Sequence, residues 1–532
     1  MSDRVDAIVA GGGANGLTAA AVLARRGARV LLLEREEQVG GLSRTVEFAK
    51  GFRVAPLGTD PGWLPPAVER ALGLTALERD GRDLPLSVSV EPGRFLTLSR
   101  DAARAAEAIR AHSAADAGKW PEFTSRLRAL AGFLEVLYQA EPPDVDARSV
   151  AEMLSLLQLG RRFRALGRAG MIEFLRTLPM SVWEVLDDWF ECAPLKAAVA
   201  ALGVLDHAQG PRSGGTAFVL LHHLVGAPKG AVRGRPRPGQ GPSAFAGAVE
   251  ELARRHGVTI RTSASVARVR VKDDQVAGVT LEGGEEIDAR AVLSTAGPAR
   301  TLLGWVDPVW LDPEFLNAVR NVRYRGCTAV VAYALDVLPD FPGLAGREAL
   351  AGTVSLTGSL EALERAADAA KYGLASENPH VELTVPTLRD PGLAPEGAHV
   401  LVARAQYAPY HLRDGASWDA ARREALADAV TKRIACAAPG FASRVRQRAA
   451  WSPHDLEERF GVPEGAASHG ELALDQILFM RPLAGWARYA TPIRGLYLGG
   501  AGTHPGPGVL GGPGWLAARR LMADRRPGRA GG

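Results

Sequence analysis

The stretch from Val5 to Glu34 constrains this chain most, because an apolar run, a glycine loop, an alanine-rich segment and a second apolar run ending in an acid follow in order. Val5 to Ala10 reads as a buried strand, Gly13 to Arg26 as a helix, and Arg29 to Glu34 as a second strand. Gly11-Gly12-Gly13-Ala14-Asn15-Gly16 joins the first strand to the helix with G-x-G-x-x-G spacing. Gly11 permits the tight turn, Gly13 lets the backbone approach a pyrophosphate, and Gly16 lets the helix pack closely on the strand. The helix N-terminus then faces the phosphates and stabilises their charge. Glu34 ends the second strand, where a carboxylate accepts hydrogen bonds from an adenosine ribose and disfavours a 2′-phosphate. The competing explanation, a glycine-rich turn in an unrelated α/β protein, does not account for the flanking strands, the helix and Glu34 together. NAD and FAD remain open at this point.

Two further stretches favour FAD. Val39-Gly40-Gly41 follows the second strand, where a glycine pair lets the chain turn back across the pyrophosphate. Near the other end, the run from Gly500 to Gly511 (GAGTHPGPGVLG) places small residues between the strand-like Gly495 to Gly500 and a final helix from about Leu510 to Asp524. A simple NAD-linked dehydrogenase has no need of this second loop.

With 532 residues the chain is long enough for two domains. Leu86 to Val90 and Phe95 to Leu98 alternate around a turn and predict a hairpin. From Ala102 to Leu205 the period is helical, with breaks expected at Pro121, Pro142-Pro143, Pro179 and Pro194. Gly226 to Pro242 reads as a connecting loop, after which Ser243 caps a helix ending near His256. Short strands are expected at Val258 to Thr262, Val266 to Val271, Val276 to Leu281 and Ala291 to Thr295, which looks like a return to the nucleotide-binding domain. Thr328 to Ala334, Val381 to Val385 and His399 to Ala405 suggest a second sheet, and Ser417 to Ala437 a further helix.

Cys192, Cys327 and Cys436 are too far apart in sequence for a disulfide framework, a C-x-x-C redox pair or a zinc knuckle, so no metal is expected. A formal charge of +4, from nearly balanced Arg and acids, gives little reason to expect nucleic-acid binding. No apolar span long enough for a membrane helix and no secretory signal stand out, so a cytoplasmic protein is expected. The stretch Leu154 to Arg168 mixes apolar residues with clustered Arg. Packing of its apolar side inward is the expectation, with peripheral contact to an anionic membrane as the alternative.

These motifs resemble the flavoproteins that carry a Gly-Gly pair after the dinucleotide fold, a group that includes amine oxidases and phytoene desaturases. The match is nearest to the phytoene desaturase-like branch that contains pyridine nucleotide-disulfide oxidoreductase domain-containing protein 2. The stretches from Asp6 to Arg35, Ser181 to Val204, Gly215 to Gly226 and Gly495 to Val509 carry it. The resemblance implies an α/β fold: a Rossmann-like FAD-binding domain of the Gly-Gly doublet type with an inserted α+β substrate domain. The expected FAD-domain parts are 1–75, 236–300 and 481–532, and the substrate-domain parts 76–235 and 301–480. It implies non-covalent FAD held by Gly11, Gly13, Ala14, Asn15 and Gly16 at the pyrophosphate and by Glu34 and Arg35 at the adenosine. Gly40 and Gly41 would pass beside the phosphates, and Val266 would meet the adenine through its backbone. Gly500, Ala501 and Gly502 would close over the pyrophosphate and ribityl chain, and Gly508, Val509 and Leu510 would offer N–H groups to the flavin pyrimidine. Leu42 departs from the Arg that many relatives carry after the glycine pair, and Gly239-Gln240-Gly241-Pro242 replaces the usual adjacent glycines at the return to the flavin domain.

The resemblance further implies an FAD-dependent dehydrogenase or desaturase that takes a hydride from an apolar, isoprenoid- or lipid-like molecule and passes electrons to oxygen, a quinone or another acceptor. An amine oxidase and an FAD-binding regulatory protein with little turnover are the alternatives. Flavin chemistry asks little of side chains beyond positioning, so the candidates are few. His222 or His223, in an apolar run, would face the substrate as acid or base, with a hydrogen-bonded structural role as the alternative; Arg212 would contact substrate or charge near the flavin, with an ordinary surface Arg as the alternative. His504 would orient the flavin or its phosphate or else stabilise its loop, and Trp486 and Tyr489 would line the cavity or else belong to the core.

Overall fold

Strands Ala7–Ala10 and Val30–Leu33 are apolar and buried at every position, the pattern of parallel strands covered on both faces. The computed structural model describes residues 4–525 apart from 59, 61, 75–78, 81, 83, 144–149, 234, 239–240 and 345. The two strands form the centre of a five-stranded sheet ordered Leu496–Leu498, Val292–Ser294, Ala7–Ala10, Val30–Leu33, Thr259–Arg261, and every pair is parallel. Three helices, Ala14–Ala24, Ala244–Arg255 and Gly512–Asp524, bury apolar side chains on one face against Ala7, Val9, Val30 and Leu32. The opposite face, Ile8, Ala10, Leu31 and Leu33, packs on an antiparallel meander formed by Val266–Lys272, Gln275–Leu281 and Glu286–Asp288.

Close approach of these layers depends on glycine. A Cβ at Gly16 would stand 1.8 Å from the Gly11 carbonyl oxygen, and one at Gly514 1.9 Å from that of Asn15. The first helix therefore sits against its own loop and against the last helix, at distances no side chain allows.

A second sheet has seven strands ordered Val445–Trp451, Thr328–Leu335, His399–Gln406, His380–Thr384, Thr353–Ser355, Leu86–Glu91, Arg94–Leu98. One face, with Val331, Tyr333, Leu383 and Leu401, buries Leu426, Val430 and Ile434 of helix Ala420–Ala437. Its hairpin Leu86–Glu91/Arg94–Leu98 comes from one part of the chain and the other five strands from another. Helices from Ala102–Arg110 to Thr216–Leu224 form a layer of their own around Trp120, Phe123 and Phe190.

Several local expectations change. Pro121 does not break a helix: it lies inside Ala114–Leu137, where Trp120 and Phe123 pack on Phe190 at ring separations of 6.0 and 4.7 Å. Burial of these aromatics offsets the one backbone bond a proline removes. Ser243 occupies the cap position of its helix but its hydroxyl makes no capping bond. Leu154 to Arg168 is two helices, Val150–Arg164 and Gly167–Thr177, and its apolar residues divide. Leu159, Phe163 and Leu166 pack inward, while Met153 (55% exposed), Leu154, Leu156 and Leu157 (61%) face outward, as do Ile172 and Leu175 on the second helix. Gly239 and Gln240 of the expected return loop, and the boundary at 75/76, lie outside the described residues.

Candidate active site

A cavity of about 740 Å³ opens at the carboxyl ends of the parallel strands, the edge where α/β sheets bind ligands. Gly11, Gly13, Ala14 and Asn15 line it, and so do Glu34, Arg35, Gly40, Gly41 and Val266. The glycine pair crosses directly over the first loop: the Gly40 N–H donates to the Gly12 carbonyl at 2.9 Å, and a Cβ at Gly41 would lie 3.0 Å from Gly13 Cα. With φ of +122° and +55°, Gly40 and Gly41 hold a conformation that suits glycine.

Glu34 is buried and fixed by two backbone donors, Gly12 N–H at 2.6 Å and Glu36 N–H at 3.0 Å. Arg35 pairs with Glu36 at 3.2 Å and donates to the Arg459 carbonyl at 3.0 Å. Arg44, which the sequence did not single out, lines the cavity three positions after the glycine pair and pairs with Glu36 at 2.7 Å. One short helical turn, Gly41–Ser43, thus delivers a guanidinium even though Leu42 stands next to the glycines. Its Nε is buried without a partner, as is the Asn15 Oδ1 beside the first loop. An orphaned donor and acceptor beside a glycine cradle fit a phosphate-bearing dinucleotide, and the elongated cavity from Glu34 to Gly508 fits one with a second ring system.

The C-terminal loop contributes unevenly. Ala501, Gly508, Val509 and Leu510 line the cavity; Gly16, Gly500 and Gly502 do not. A Cβ at Gly500 would meet the Thr295 carbonyl at 2.4 Å and one at Gly502 the Pro298 ring at 2.5 Å, so these glycines permit close packing. The Leu510 N–H donates to the Trp63 carbonyl at 2.7 Å and is not available to a flavin ring, which corrects the expectation for that donor.

Of the proposed acid–base residues only His223 lines the cavity. His222 is buried in a brace: its Nε2 donates to the Pro507 carbonyl at 2.9 Å, so Nδ1 accepts from the Tyr138 hydroxyl at 2.8 Å. Burial, helped by the Arg235 charge, lowers His222 to about 3 and keeps it neutral. Burial also pushes His223 well below the usual histidine range, with His222 and Arg235 adding to the effect. Adjacent helical residues point about 100° apart, so one histidine of the pair faces the cavity and the other the loop. Arg212 is exposed, stacked over Trp183 at 4.0 Å with its N–H on Glu364, and is no part of the cavity. His504 donates to or accepts at the Leu137 carbonyl at 3.1 Å through Nε2; the carbonyl only accepts, so it is the donor, in a structural role. Tyr489 is core, and Trp486 packs on Phe315 at 5.1 Å; neither lines the cavity.

Residues without a sequence signal complete the other end. Asp60, Leu205, Asp206, His207, Arg235, Arg404, His469 and Leu472 line it from five separate segments. Arg404 pairs with Asp206, and Arg235 with Asp60 at 3.2 Å. Burial alone would raise Asp206, but the Arg404 charge and hydrogen bonds from Arg404 and Thr328 outweigh it and hold the carboxyl below its ordinary value.

Comparison with known proteins agrees with this geometry. The family described as flavin containing amine oxidoreductase matches residues 15–520. Pyridine nucleotide-disulfide oxidoreductase domain-containing protein 2 of Rattus norvegicus is 34% identical over 98% of this chain and 94% of its own. The zeta-carotene-forming phytoene desaturase of Myxococcus xanthus is 26% identical over 97% and 93%. An oxidoreductase from Methanosarcina mazei of known structure superposes with a TM-score of 0.57 at 16% identity, covering 97% of this chain and all of the other. With the glycine cradle, the buried acid that ends the second strand and the cavity in one site, the chain belongs to the flavin containing amine oxidoreductase family and is an FAD-dependent oxidoreductase.

Proposed function

We propose that this chain is a dehydrogenase or desaturase acting on an apolar, isoprenoid- or lipid-like substrate, with Gly11, Gly13, Ala14, Asn15, Glu34, Arg35, Gly40, Gly41, Val266, Ala501, Gly508 and Val509 holding FAD. The observation that carries it is the wall of the cavity away from Glu34. Leu205, Leu472 and Val509 supply apolar surface there beside the paired charges of Arg404 with Asp206 and Arg235 with Asp60, while the Phe460 ring lies under the Arg44 guanidinium at 6.0 Å. Among the described residues, Trp305 and Phe460 are the Trp, Phe or Tyr side chains that line the cavity, and neither belongs to the C-terminal loop.

FAD, when bound, supplies the hydride acceptor. The chain's own residues orient the substrate and exclude water: Leu205, Leu472 and Val509 press on its apolar body, and His223 offers a neutral imidazole. With its pKa held well below 6.5, His223 is neutral at neutral pH, with one ring nitrogen donating and the other accepting, and serves as a positioning group. Anaerobic mixing of the FAD-loaded protein with polyenes, isoprenoid alcohols and amines tests the proposal. Loss of the oxidised flavin band with the first two classes is expected; bleaching by amines alone would reverse the assignment, and bleaching by none would favour a regulatory role. Reoxidation by air against a quinone then identifies the electron acceptor.

The exposed apolar residues at 153–157, 172 and 175 favour peripheral contact with a lipid surface as the route of such a substrate. Arg161, Arg162, Arg164 and Arg168 are exposed on the same helical pair and complement anionic headgroups. No helix among the described residues is long and apolar enough to cross a membrane. Sedimentation with anionic but not zwitterionic vesicles, lost in Leu154→Glu/Leu157→Glu, tests this contact.

A further inference from the structure

Strand His380–Thr384 alternates polar and apolar residues, which in an ordinary sheet puts the polar face in water. Here His380 and Glu382 are only 3% and 5% exposed. They share a face with Arg404 and Gln406 across one register and with Ser355 across the other. Burying a polar sheet face is unfavourable unless each group is matched, and protein groups match much of it: Thr357 meets His380, Arg233 meets Glu382, Asp206 meets Arg404, and Gln406 donates to the Val204 and His207 carbonyls.

That face floors a side chamber of about 50 Å³, large enough for a small functional group. Asp60, Leu205, His223, Arg235 and Arg404 line both the chamber and the main cavity, so the two adjoin. Each of its three lining Arg is paired: Arg233 with Glu382 and Arg235 with Asp60 inside the chamber, and Arg404 with Asp206, which lines the main cavity. Four buried polar atoms on lining residues are nevertheless unpartnered: Arg233 Nε, Arg404 Nε, His223 Nε2 and Thr384 Oγ1. The two guanidinium nitrogens only donate, and the other two accept or donate. What the set lacks is an acceptor. A carboxylate would add an uncompensated charge to a balanced, desolvated set, and an amine would add one with no acid to spare.

We propose that the chamber binds a neutral oxygen function, a carbonyl or hydroxyl, carried by an otherwise apolar substrate whose body occupies the main cavity. The chamber thereby selects oxygenated molecules over plain hydrocarbons and over acids, with His223, Arg404 and Thr384 as the selecting residues. This rests on the main cavity being the substrate and flavin site proposed above.

The test uses the FAD-loaded full-length protein and four C15 isoprenoids of equal length: farnesene, farnesol, farnesal and farnesoic acid. Binding is followed by perturbation of the flavin absorbance and by calorimetry, with retained FAD as the check on folding. Farnesol and farnesal are expected to bind at least about tenfold more tightly than farnesene and the acid, the discrimination of one well-made hydrogen bond. In Thr384→Val, at a residue that lines the chamber and not the main cavity, the preference over farnesene should shrink to about twofold or threefold while farnesene binding is unchanged. Tight binding of farnesene without preference for the oxygenated pair overturns the chamber's role and leaves the apolar-substrate proposal standing. Preference for the acid overturns the neutral-acceptor assignment. Failure of all four to bind while FAD is retained overturns both together.

Discussion

Replacing Arg481 with Met should loosen the flavin site without touching a residue that lines it. Arg481 is 2% exposed and forms no salt bridge among the described residues; its guanidinium donates to five backbone carbonyls, those of Ser468, Gly470, Glu471, Gln476 and Ala501. Four of these belong to the segment that carries the cavity residues Ser468, His469 and Leu472, and the fifth is Ala501 of the C-terminal loop. One side chain therefore ties two walls of the cavity together. Burial lowers its pKa to about 10, with the Tyr138 and Tyr324 hydroxyls acting in the other direction, so it remains charged at neutral pH.

Met keeps the stem and removes every donor. Each charge-assisted bond contributes about 1.5–3 kcal/mol in isolation, but the five share one desolvated cation whose burial opposes them. A net loss of about 3–5 kcal/mol is the expected size for removing one side of such a network. Lys reaches at most three of the five carbonyls from a single point, against the planar fork of Arg, and should lose about half as much. Urea-induced release of FAD, followed by the rise in flavin fluorescence, reports the effect. At a slope of about 3 kcal/mol per molar urea, the release midpoint should fall by about 1–1.7 M in Arg481→Met and by about half that in Arg481→Lys. Equal midpoints in all three proteins would mean that water satisfies the carbonyls as well as the guanidinium does, and the strut assignment would fail.

Gly16→Ala forces a Cβ to within 1.8 Å of the Gly11 carbonyl oxygen and should give a colourless, FAD-free protein; a yellow one refutes the packing assignment. Glu34→Leu leaves the Gly12 and Glu36 N–H groups without acceptors and should weaken FAD binding by about 10–100-fold in equilibrium titration, whereas Glu34→Gln should lose less. Tyr138→Phe removes the donor to His222 Nδ1 and should cost about 1–3 kcal/mol in urea denaturation, with no change expected if that nitrogen finds water. His222, His469 and His504 sit at about 3, 4 and 4, chiefly through burial, against an ordinary 6.5. Because the unfolded chain takes up these protons first, their contribution is complete above pH 6.5 and is lost as pH falls from 6.5 toward 4, at about 1.4 kcal/mol per pH unit for each histidine. A urea midpoint that does not move between pH 7 and 5 would contradict it.

The flavin domain was readable because its signals are local. Two fully buried strands, the loop between them and Glu34 lie within one stretch of chain, and the glycines are required by close approaches along that stretch. The C-terminal loop was readable as a loop but not glycine by glycine: Gly500 and Gly508 look alike in sequence, and only the position of Thr295, two hundred residues earlier in the chain, makes one a packing residue and the other a lining residue. The same limit applied to the histidine pair, whose 100° offset guaranteed different surroundings without saying which residue received which. Arg44 carries no local signal because it does not adjoin the glycine pair; a single turn at Gly41–Ser43 brings its guanidinium to the cavity.

The substrate end carries a signal of a different kind, one that only burial reveals. Period-two alternation in His380–Thr384 is the ordinary mark of a sheet with one wet face, and the sequence gives no reason to read it otherwise. Its meaning reverses once the helical layer and the flavin domain cover that face, because a polar side chain kept where water is excluded must be matched by protein or by ligand. Arg233, which meets Glu382, comes from the glycine- and arginine-rich connection, and Asp206, which meets Arg404, from the end of the helical insertion. The charges that balance the chamber are thus contributed by segments far apart in the chain, and neither partner of either pair predicts the other. Local motifs identify the cofactor of such an enzyme; what it selects as substrate is written in pairings that exist only after the two domains have closed on each other.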